Sequence, residues 1–164
     1  MTIRTIQTGL ENPILRTRSK EVEKLTPAVK KLIRDMHDTL HLDGIGLAAP
    51  QVGENLRVIL ATLNPGTKKE NTITLINPVI TYFSRDTVID EEGCLSLPKV
   101  FGDVERSYEI IVQYRDEQFK IEVLKLRGLN ARIIQHETDH VDGILFADKI
   151  VGDVSKRRNS ALSF

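Results

Sequence analysis

The sequence predicts an α+β fold, with mixed or antiparallel strands around a central C-terminal helix and a second helix near the N-terminus. Two observations indicate this class. Amphipathic helical patterns lie toward the two ends of the chain, and segments rich in β-branched residues are grouped between them. Because the strand segments follow one another and do not alternate with helices, an α+β arrangement is favoured over an alternating α/β one.

The first helix is predicted over Thr26–His41. Thr26 can cap its N-terminus, and Pro27 suits the first helical position. Apolar residues recur at helical spacing along one face, at Val29, Leu32, Ile33, Met36 and Leu40. The dipeptide Asp43-Gly44 is expected to end this helix.

Four strands are predicted in the middle of the chain, over Asn55–Leu63, Thr72–Phe83, Tyr108–Arg115 and Phe119–Leu126. Turn residues at Asn64-Pro65-Gly66 and Asp116-Glu117 are expected to connect two hairpins. A second helix is predicted to begin near Asn130, an N-cap residue type, and to end at Gly143.

The composition is that of an ordinary folded protein. The chain has 164 residues, with 23 basic and 23 acidic side chains, so no global field favours DNA or an acidic membrane surface. It lacks an apolar run long enough to span a bilayer and a signal-like start, which predicts a cytoplasmic protein. We expect one domain over residues 1–148 and a short polar tail over 149–164.

The stretch Gln135-His136-Glu137-Thr138-Asp139-His140 contains an HExxH pattern. On a helix His136 and His140 lie one turn apart on the same face, so both imidazoles can reach one metal ion. Glu137 lies close to that face and can take a proton from a water molecule at the metal. The pattern predicts a hydrolytic metal site.

A hydrolytic site usually has three protein ligands, so the third must be found elsewhere. After His140 the chain contains no Glu and no His, which excludes the ligands that two classes of zincin peptidase use. The aspartates Asp142, Asp148 and Asp153 remain downstream. Upstream, Cys94 is the single cysteine, which excludes an internal disulfide, and a thiolate is a strong ligand for borderline divalent metals.

Histidine spacing alone is a weak signal, as a second pair in the chain illustrates. His37 and His41 are also four residues apart, but no glutamate base accompanies them. Both lie at the edge of the apolar face of the first helix. We therefore interpret them as a solvent-exposed pair.

Three separated stretches together resemble the signature motifs of the peptide deformylases. They are Gly44-Ile45-Gly46-Leu47-Ala48-Ala49-Pro50-Gln51, Glu92-Gly93-Cys94-Leu95-Ser96 and the HExxH stretch Gln135–His140. The flanking pattern is similar from about Asn12 to Asp148, most of the chain. The resemblance implies hydrolysis of the N-formyl group from the formyl-methionine of nascent polypeptides, with release of formate.

The resemblance also implies a role for each matching residue. Cys94, His136 and His140 would bind the metal, and Glu137 would be the general acid/base. The Gln51 side chain and the Leu95 backbone N–H would stabilise the oxyanion that forms when hydroxide attacks the formyl carbon. The segment Gly44-Ile45-Gly46 would bind the substrate main chain as an added strand.

The methionine side chain needs an apolar pocket, which by resemblance Ile45, Leu129, Ile133 and the His136 ring would line near Glu92. Core packing is the alternative for Leu129 and Ile133. Arg132 could lie at the pocket rim or on the helix surface. Asp139 and Glu91 could orient the histidine rings, but a structural salt bridge is the preferred interpretation of both.

One divalent metal ion per chain is expected. Affinity favours zinc, the resemblance favours ferrous iron, and nickel or cobalt would also suit the ligands. A monomer is the default expectation, and a weak ribosome contact through the basic tail residues Lys156, Arg157 and Arg158 is a hypothesis. Two rivals remain: a metallopeptidase that cuts internal peptide bonds, and a deformylase-like fold that binds peptides or metal without catalysis.

Overall fold

The computed structural model describes residues 2–40 and 44–152. Within these ranges the helices are α1 (Pro13–Arg16), α2 (Pro27–Leu40) and α3 (Gly128–Val141). The strands are β1 (Gly46–Ala48), β2 (Val58–Leu63), β3 (Asn71–Phe83), β4 (Thr87–Cys94), β5 (Leu97–Ser107), β6 (Glu109–Arg115) and β7 (Ile121–Arg127). Short 3-10 helices cover Ala49–Val52 and Phe146–Lys149.

In the described part of the chain, the strands form one five-stranded sheet and one hairpin. The sheet has the order β1-β2-β3-β6-β7, and β4 pairs only with β5. Every pairing between these strands is antiparallel. The predicted α+β class is confirmed, and so are the two predicted hairpins, β2–β3 and β6–β7.

The two long helices cover opposite faces of the sheet. On one face α2 packs against β1 and β2 through a cluster that includes Leu32, Met36 and Leu60. On the other face α3 packs through Ile133 and Ile134 against apolar residues of β2, β3, β6 and β7. Because strand side chains alternate between faces, this arrangement requires both faces of β2 to be apolar, as the sequence of Val58–Leu63 is.

The helix predictions are confirmed with changes at their ends. Thr26 Oγ1 accepts a hydrogen bond from the Val29 N–H at 3.2 Å, as expected for a cap. His41 and Asp43 lie outside the described residues. The second helix, α3, is confirmed near its predicted start, but the predicted N-cap role of Asn130 is wrong. The helix begins at Gly128, and the Asn130 side chain instead accepts a hydrogen bond from the Asn64 N–H at 2.8 Å.

Three strands were not predicted from the sequence: β1, β4 and β5. β1 has only three residues, Gly46–Ala48, and no β-branched residue. β4 ends in Asp90-Glu91-Glu92-Gly93-Cys94, a composition that strand propensity disfavours. Its pairing with β5 nevertheless runs from Thr87↔Ser107 to Cys94↔Leu97, with a register shift before Cys94.

The chain continues to pack after α3. Phe146 is buried with Leu15 and Val104 in a third apolar cluster, and Ile150 forms an isolated antiparallel bridge with Val104. Ile150 also lies where a side chain at Gly102 would have to be. Of the helices described, none is both long and apolar enough to cross a bilayer.

The C-terminal end of α3 depends on a glycine. Gly143 has φ +77°, and its N–H bonds the His140 carbonyl at 3.1 Å. A Cβ on Gly143 would lie 2.7 Å from the Arg16 carbonyl oxygen. This position therefore combines a left-handed backbone with a close backbone approach, and only glycine satisfies both.

We predict that Gly143→Ala lowers the free energy of unfolding by about 2 kcal/mol or more, because left-handed strain and the Arg16 contact add together. Gly66→Ala is the matched control. Gly66 has φ +74° but no atom near its would-be Cβ, so only the strain of about 1 kcal/mol is expected there. Urea unfolding measures the loss of unfolding free energy in both variants. Equal losses would show that the Arg16 segment moves aside freely.

Candidate metal centre

α3 brings the two motif histidines to one buried point. The ring centroids of His136 and His140 are 5.1 Å apart in an edge-to-face arrangement. Both side chains are 1% exposed. His136 Nδ1 lies 2.8 Å from Glu92 Oε2, so it donates its proton to the carboxylate and Nε2 keeps a lone pair for a metal.

Cys94 meets the histidines from the end of β4. Its sulfur lies 3.2 Å from His140 Nε2, and ligand atoms of Cys94, His136 and His140 all lie within 4.8 Å of one another. Metal–sulfur and metal–nitrogen bonds of about 2.3 and 2.0 Å place two tetrahedral ligands roughly 3.3–3.6 Å apart. The three donors therefore fit one ion with a small adjustment.

The downstream aspartates are engaged elsewhere. Asp142 Oδ1 accepts a hydrogen bond from Arg57 at 2.6 Å, and Asp148 Oδ2 accepts one from Arg16 at 2.5 Å. Asp153 lies outside the described residues. Among the candidates that the structure describes, only Cys94 joins the two histidines as a third ligand.

Glu137, the glutamate of the HExxH stretch, lies in the same buried space. It is 0% exposed, and neither carboxylate oxygen has a hydrogen-bond partner among the described residues. Burial, followed by repulsion from Glu92, raises the pKa of Glu137 well above its ordinary value. A buried carboxylate without a partner is costly in a structural role, whereas a catalytic base at a metal needs such a position.

The electrostatics of the protein alone do not favour a thiolate. Burial, followed by the charge of Glu137, raises the pKa of the Cys94 thiol to about 12. Burial also lowers the pKa of His140 well below its ordinary value, and the neighbouring His136 lowers it further. A neutral imidazole is ready to bind a metal, and a divalent cation between these groups would offset the unfavourable thiolate charge.

Gln51 lies beside the sulfur in a fixed orientation. Its Oε1 accepts a hydrogen bond from the Ala48 N–H at 2.8 Å, so its Nε2 must face the site. Nε2 lies 3.2 Å from Ser96 Oγ and 3.5 Å from Cys94 Sγ. Leu95 follows Cys94 in the two-residue turn between β4 and β5, and its side chain packs against the α2 cluster.

A buried ion-pair cluster behind the site was not predicted from the sequence. Glu92 is 0% exposed and accepts hydrogen bonds from Arg106 at 2.9 and 3.0 Å and from Arg132 at 2.8 Å. Burial alone would raise the pKa of Glu92, but the bonds from His136 and Arg106 hold it well below its ordinary value. Glu92 therefore remains a carboxylate that orients His136.

For the neighbouring charged residues, the expectation for Asp139 agrees with the structure and one alternative for Arg132 does not. Asp139 forms the structural salt bridge that we preferred for it, with Arg106 at 2.5 Å and Lys149 at 2.8 Å. For Arg132 the surface alternative is wrong. Its guanidinium is buried and bonds the carbonyls of Val88 and Val104 as well as Glu92. Glu91 is half-buried in β4. It precedes Glu92 in the chain, and Glu92 is the residue that contacts the His136 ring.

The segment proposed to bind substrate lies directly over Glu137. Gly46 is in β1, and a Cβ there would lie 2.2 Å from Glu137 Oε1. At Gly44 a Cβ would lie 3.1 Å from Leu40 and 3.3 Å from Leu95. Ile45, between them, is half-buried against the α3 cluster. A side chain at position 46 would displace the carboxylate, so the close approach requires glycine.

The residues expected around a methionine side chain lie at the start of α3. Ile133 is completely buried in the core, and Leu129 is half-buried beside it. Leu129 and Arg132 line a cavity of about 110 Å³ with Tyr108 and Asp90. This lining is less apolar than the sequence suggested, because Arg132 turns inward to Glu92.

The structure describes one histidine of the other pair. His37 Nε2 lies 3.0 Å from Thr74 Oγ1, and its side chain is 29% exposed. It is thus half-buried and less solvated than we expected. His41 lies outside the described residues.

Comparison with known proteins decides the family. The sequence profile described as polypeptide deformylase matches residues 3–156. The chain belongs to the polypeptide deformylase family. It is 42% identical to peptide deformylase 2 of Gloeobacter violaceus over 147 residues, which are 89% of this chain and 79% of that protein.

Solved deformylase structures have the same fold. The enzyme from Thermotoga maritima superposes with a TM-score of 0.85 at 37% identity, over 93% of this chain and 100% of that one. The Synechococcus elongatus enzyme, solved in complex with actinonin, superposes with a TM-score of 0.82 at 40% identity, over 90% of this chain and 78% of that one. The predicted family, fold class and deformylase activity are confirmed.

We predict that Glu92→Gln weakens metal binding by about 10- to 100-fold, because the hydrogen bond that orients His136 loses its charge. Competition with a coloured zinc chelator measures the affinity. Asp139→Asn is the matched control, since it perturbs the same Arg106 without touching His136. Equal weakening in both variants would assign the effect to Arg106 and not to His136.

Proposed function

We propose that the chain removes the formyl group from N-terminal formyl-methionine with Cys94, His136 and His140 as metal ligands and Glu137 as the general acid/base. The observation that carries this assignment is the buried donor group of Cys94, His136 and His140 beside a partnerless Glu137 carboxylate. Membership in the deformylase family supplies the reaction, the hydrolysis of a formamide to formate and a free amine.

Cys94, His136 and His140 would hold a divalent metal, which would supply Lewis acidity and lower the pKa of a bound water molecule. Glu137 is proposed to accept the proton of the attacking water and later to protonate the departing methionine amine. Its raised pKa suits proton transfer in both directions. The buried surroundings exclude other water molecules from the carboxylate.

Gln51 and Leu95 are proposed to stabilise the oxyanion that develops on the formyl oxygen. The Gln51 amide is fixed by the Ala48 N–H, so its Nε2 points toward the sulfur side of the site. The backbone N–H of Leu95 follows the ligand Cys94 directly in the chain. Two neutral donors in fixed positions stabilise charge that forms only in the transition state.

The substrate main chain is proposed to pair with Gly44-Ile45-Gly46 along the edge of β1. This strand pairs with β2 on one side, and in the described residues no other strand pairs with it. A peptide paired at such an edge would lie beside Gly46, whose backbone closely approaches Glu137. The cavity lined by Leu129 and Arg132 is then proposed to take the methionine side chain. Ile45, Ile133 and the His136 ring, which were also expected around that side chain, do not line this cavity.

Several finer features are proposed with the activity. Ferrous iron is proposed as the physiological metal, with zinc, nickel or cobalt as substitutes that the same ligands can bind. The chain is proposed to act in the cytoplasm as a monomer, as one catalytic domain over residues 1–148 with a tail over 149–164. A weak contact of Lys156-Arg157-Arg158 with the ribosome remains a hypothesis, and these residues lie outside the described part of the chain.

We predict that protein purified without oxygen releases formate from a formyl-Met-Ala-Ser peptide and needs one metal ion per chain. Chelation should abolish release, and Fe²⁺ should restore it better than Zn²⁺. The unformylated peptide, incubated in parallel, should not be cleaved. Cleavage of that peptide would indicate a metallopeptidase, whereas a filled site without formate release would indicate a binding protein.

We predict that Glu137→Ala retains about one metal ion per chain while kcat falls by at least ~100-fold, because the proton acceptor is lost but the ligands remain. Glu137→Gln should be similarly slow, since it keeps the shape and removes the basicity. Formate release and metal content are measured on the same samples. Loss of metal in both variants would mean that Glu137 is structural.

A further inference from the structure

A cavity of about 290 Å³ lies behind α3. It is lined from the helix by Gln135, Thr138 and Asp139, which point away from the side that His136 and His140 occupy. Val79 and Phe83 of β3 form part of the opposite wall. The cavity is therefore separate from the proposed metal centre, and its lining contains none of the proposed metal ligands or catalytic residues.

The charges around this cavity favour an anion. Arg18, Arg57, Arg106 and Lys149 line it, against the two carboxylates Asp139 and Asp142. Both carboxylates are already paired, Asp142 with Arg57 at 2.6 Å and Asp139 with Arg106 at 2.5 Å. Glu92, which does not line the cavity, compensates the charge of Arg106. The excess positive charge is therefore carried at the cavity rim by Arg18 and Lys149.

Arg18 is the cation best able to turn toward a ligand. Its side chain is 80% exposed, and its Nε lies 3.8 Å from Asp142 Oδ1, which is too far for a hydrogen bond. Lys149 is already held by Asp139 at 2.8 Å. An anion at the rim would therefore gain its strongest new contact from Arg18.

The wall next to the charged rim is apolar. Val79 and Phe83 are large hydrophobic residues, yet they are 50% and 53% exposed, and Ile80 between them also lines the cavity. These side chains would lose contact with water if a ligand with an apolar body occupied the space. Burial of such surface is the usual source of affinity in a small-molecule site.

The wall also contains a buried hydroxyl group without a hydrogen bond. Thr138 is 7% exposed, and its Oγ1 has no hydrogen-bond partner among the described residues. A helical threonine usually bonds the carbonyl four residues earlier, and a buried hydroxyl that bonds nothing is unfavourable. A ligand oxygen that accepts the proton of this hydroxyl would remove the deficit.

We propose that this cavity is a binding site for a small carboxylate with an apolar body. The carboxylate accepts hydrogen bonds from the Thr138 hydroxyl and the Arg18 guanidinium. The apolar body covers Val79 and Phe83. The cationic rim and the buried hydroxyl thus match the carboxylate of one amphipathic anion, and the exposed apolar wall matches its body.

The test is a titration of the ¹⁵N-labelled, zinc-loaded protein with 3-phenylpropionate, followed by NMR. Saturable shifts are expected at the amides of residues 79–83 and of Thr138, Asp139 and Asp142, and not at Cys94 and Leu95 beside the proposed metal. The uncharged 3-phenylpropan-1-ol should bind at least ~5-fold more weakly, since it cannot pair with Arg18. Absence of saturation up to about 20 mM, at the weak end of ligand affinities, would overturn the proposal, as would equal affinity for the alcohol.

Variants separate the contributions of Arg18 and Thr138 to ligand binding. Arg18→Gln should weaken binding ~3- to 5-fold, and Thr138→Leu should abolish it by filling the space. The exposed Arg34 on α2 is not part of the lining, so Arg34→Gln should bind like the wild type. A well-dispersed amide spectrum verifies that each variant is folded. Wild-type affinity in Arg18→Gln would exclude the carboxylate contact even if Thr138→Leu failed to fold.

Discussion

Glu92 places a negative charge in the interior, and much of the site is arranged around it. The carboxylate is fully buried in β4, yet it accepts hydrogen bonds from Arg106 on β5 and from Arg132 and His136 on α3. Removing one partner of such a group typically costs about 3–5 kcal/mol, because the charge left behind is uncompensated. The cluster therefore holds the β4–β5 hairpin, which carries Cys94, against the helix that carries the histidines.

The HExxH part of the proposed site could be predicted from local sequence because its geometry is local. The helical repeat alone brings His136, Glu137 and His140 together, whereas Cys94 was one of several candidate third ligands until the family motifs selected it. An amphipathic pattern likewise predicted α2, and β-branched segments with turn residues between them predicted two of the hairpins. In these elements the nearest neighbours in sequence are also the neighbours that determine the structure.

The remaining parts depend on contacts between distant residues. Asp90-Glu91-Glu92 has no strand pattern in its sequence, and its strand state comes from pairing with β5. Of the three residues only Glu92 is buried, where Arg106 and Arg132, 14 and 40 positions away, compensate its charge. β1 is too short to have a pattern, and its strand state comes from pairing with β2. The inward turn of Arg132 has the same origin, because a helix position shows no sign of a carboxylate on another element.

The contact of Gly46 with Glu137 has a consequence for the range of chains that such an enzyme can process. Because a Cβ at Gly46 would lie 2.2 Å from Glu137 Oε1, residue 46 can present only backbone atoms at this point of β1. A substrate strand paired there, as proposed, would be recognised through its peptide groups, which most residues share. Such an edge would be indifferent to most of the sequence that follows the first residue. One active site could then process many different chains.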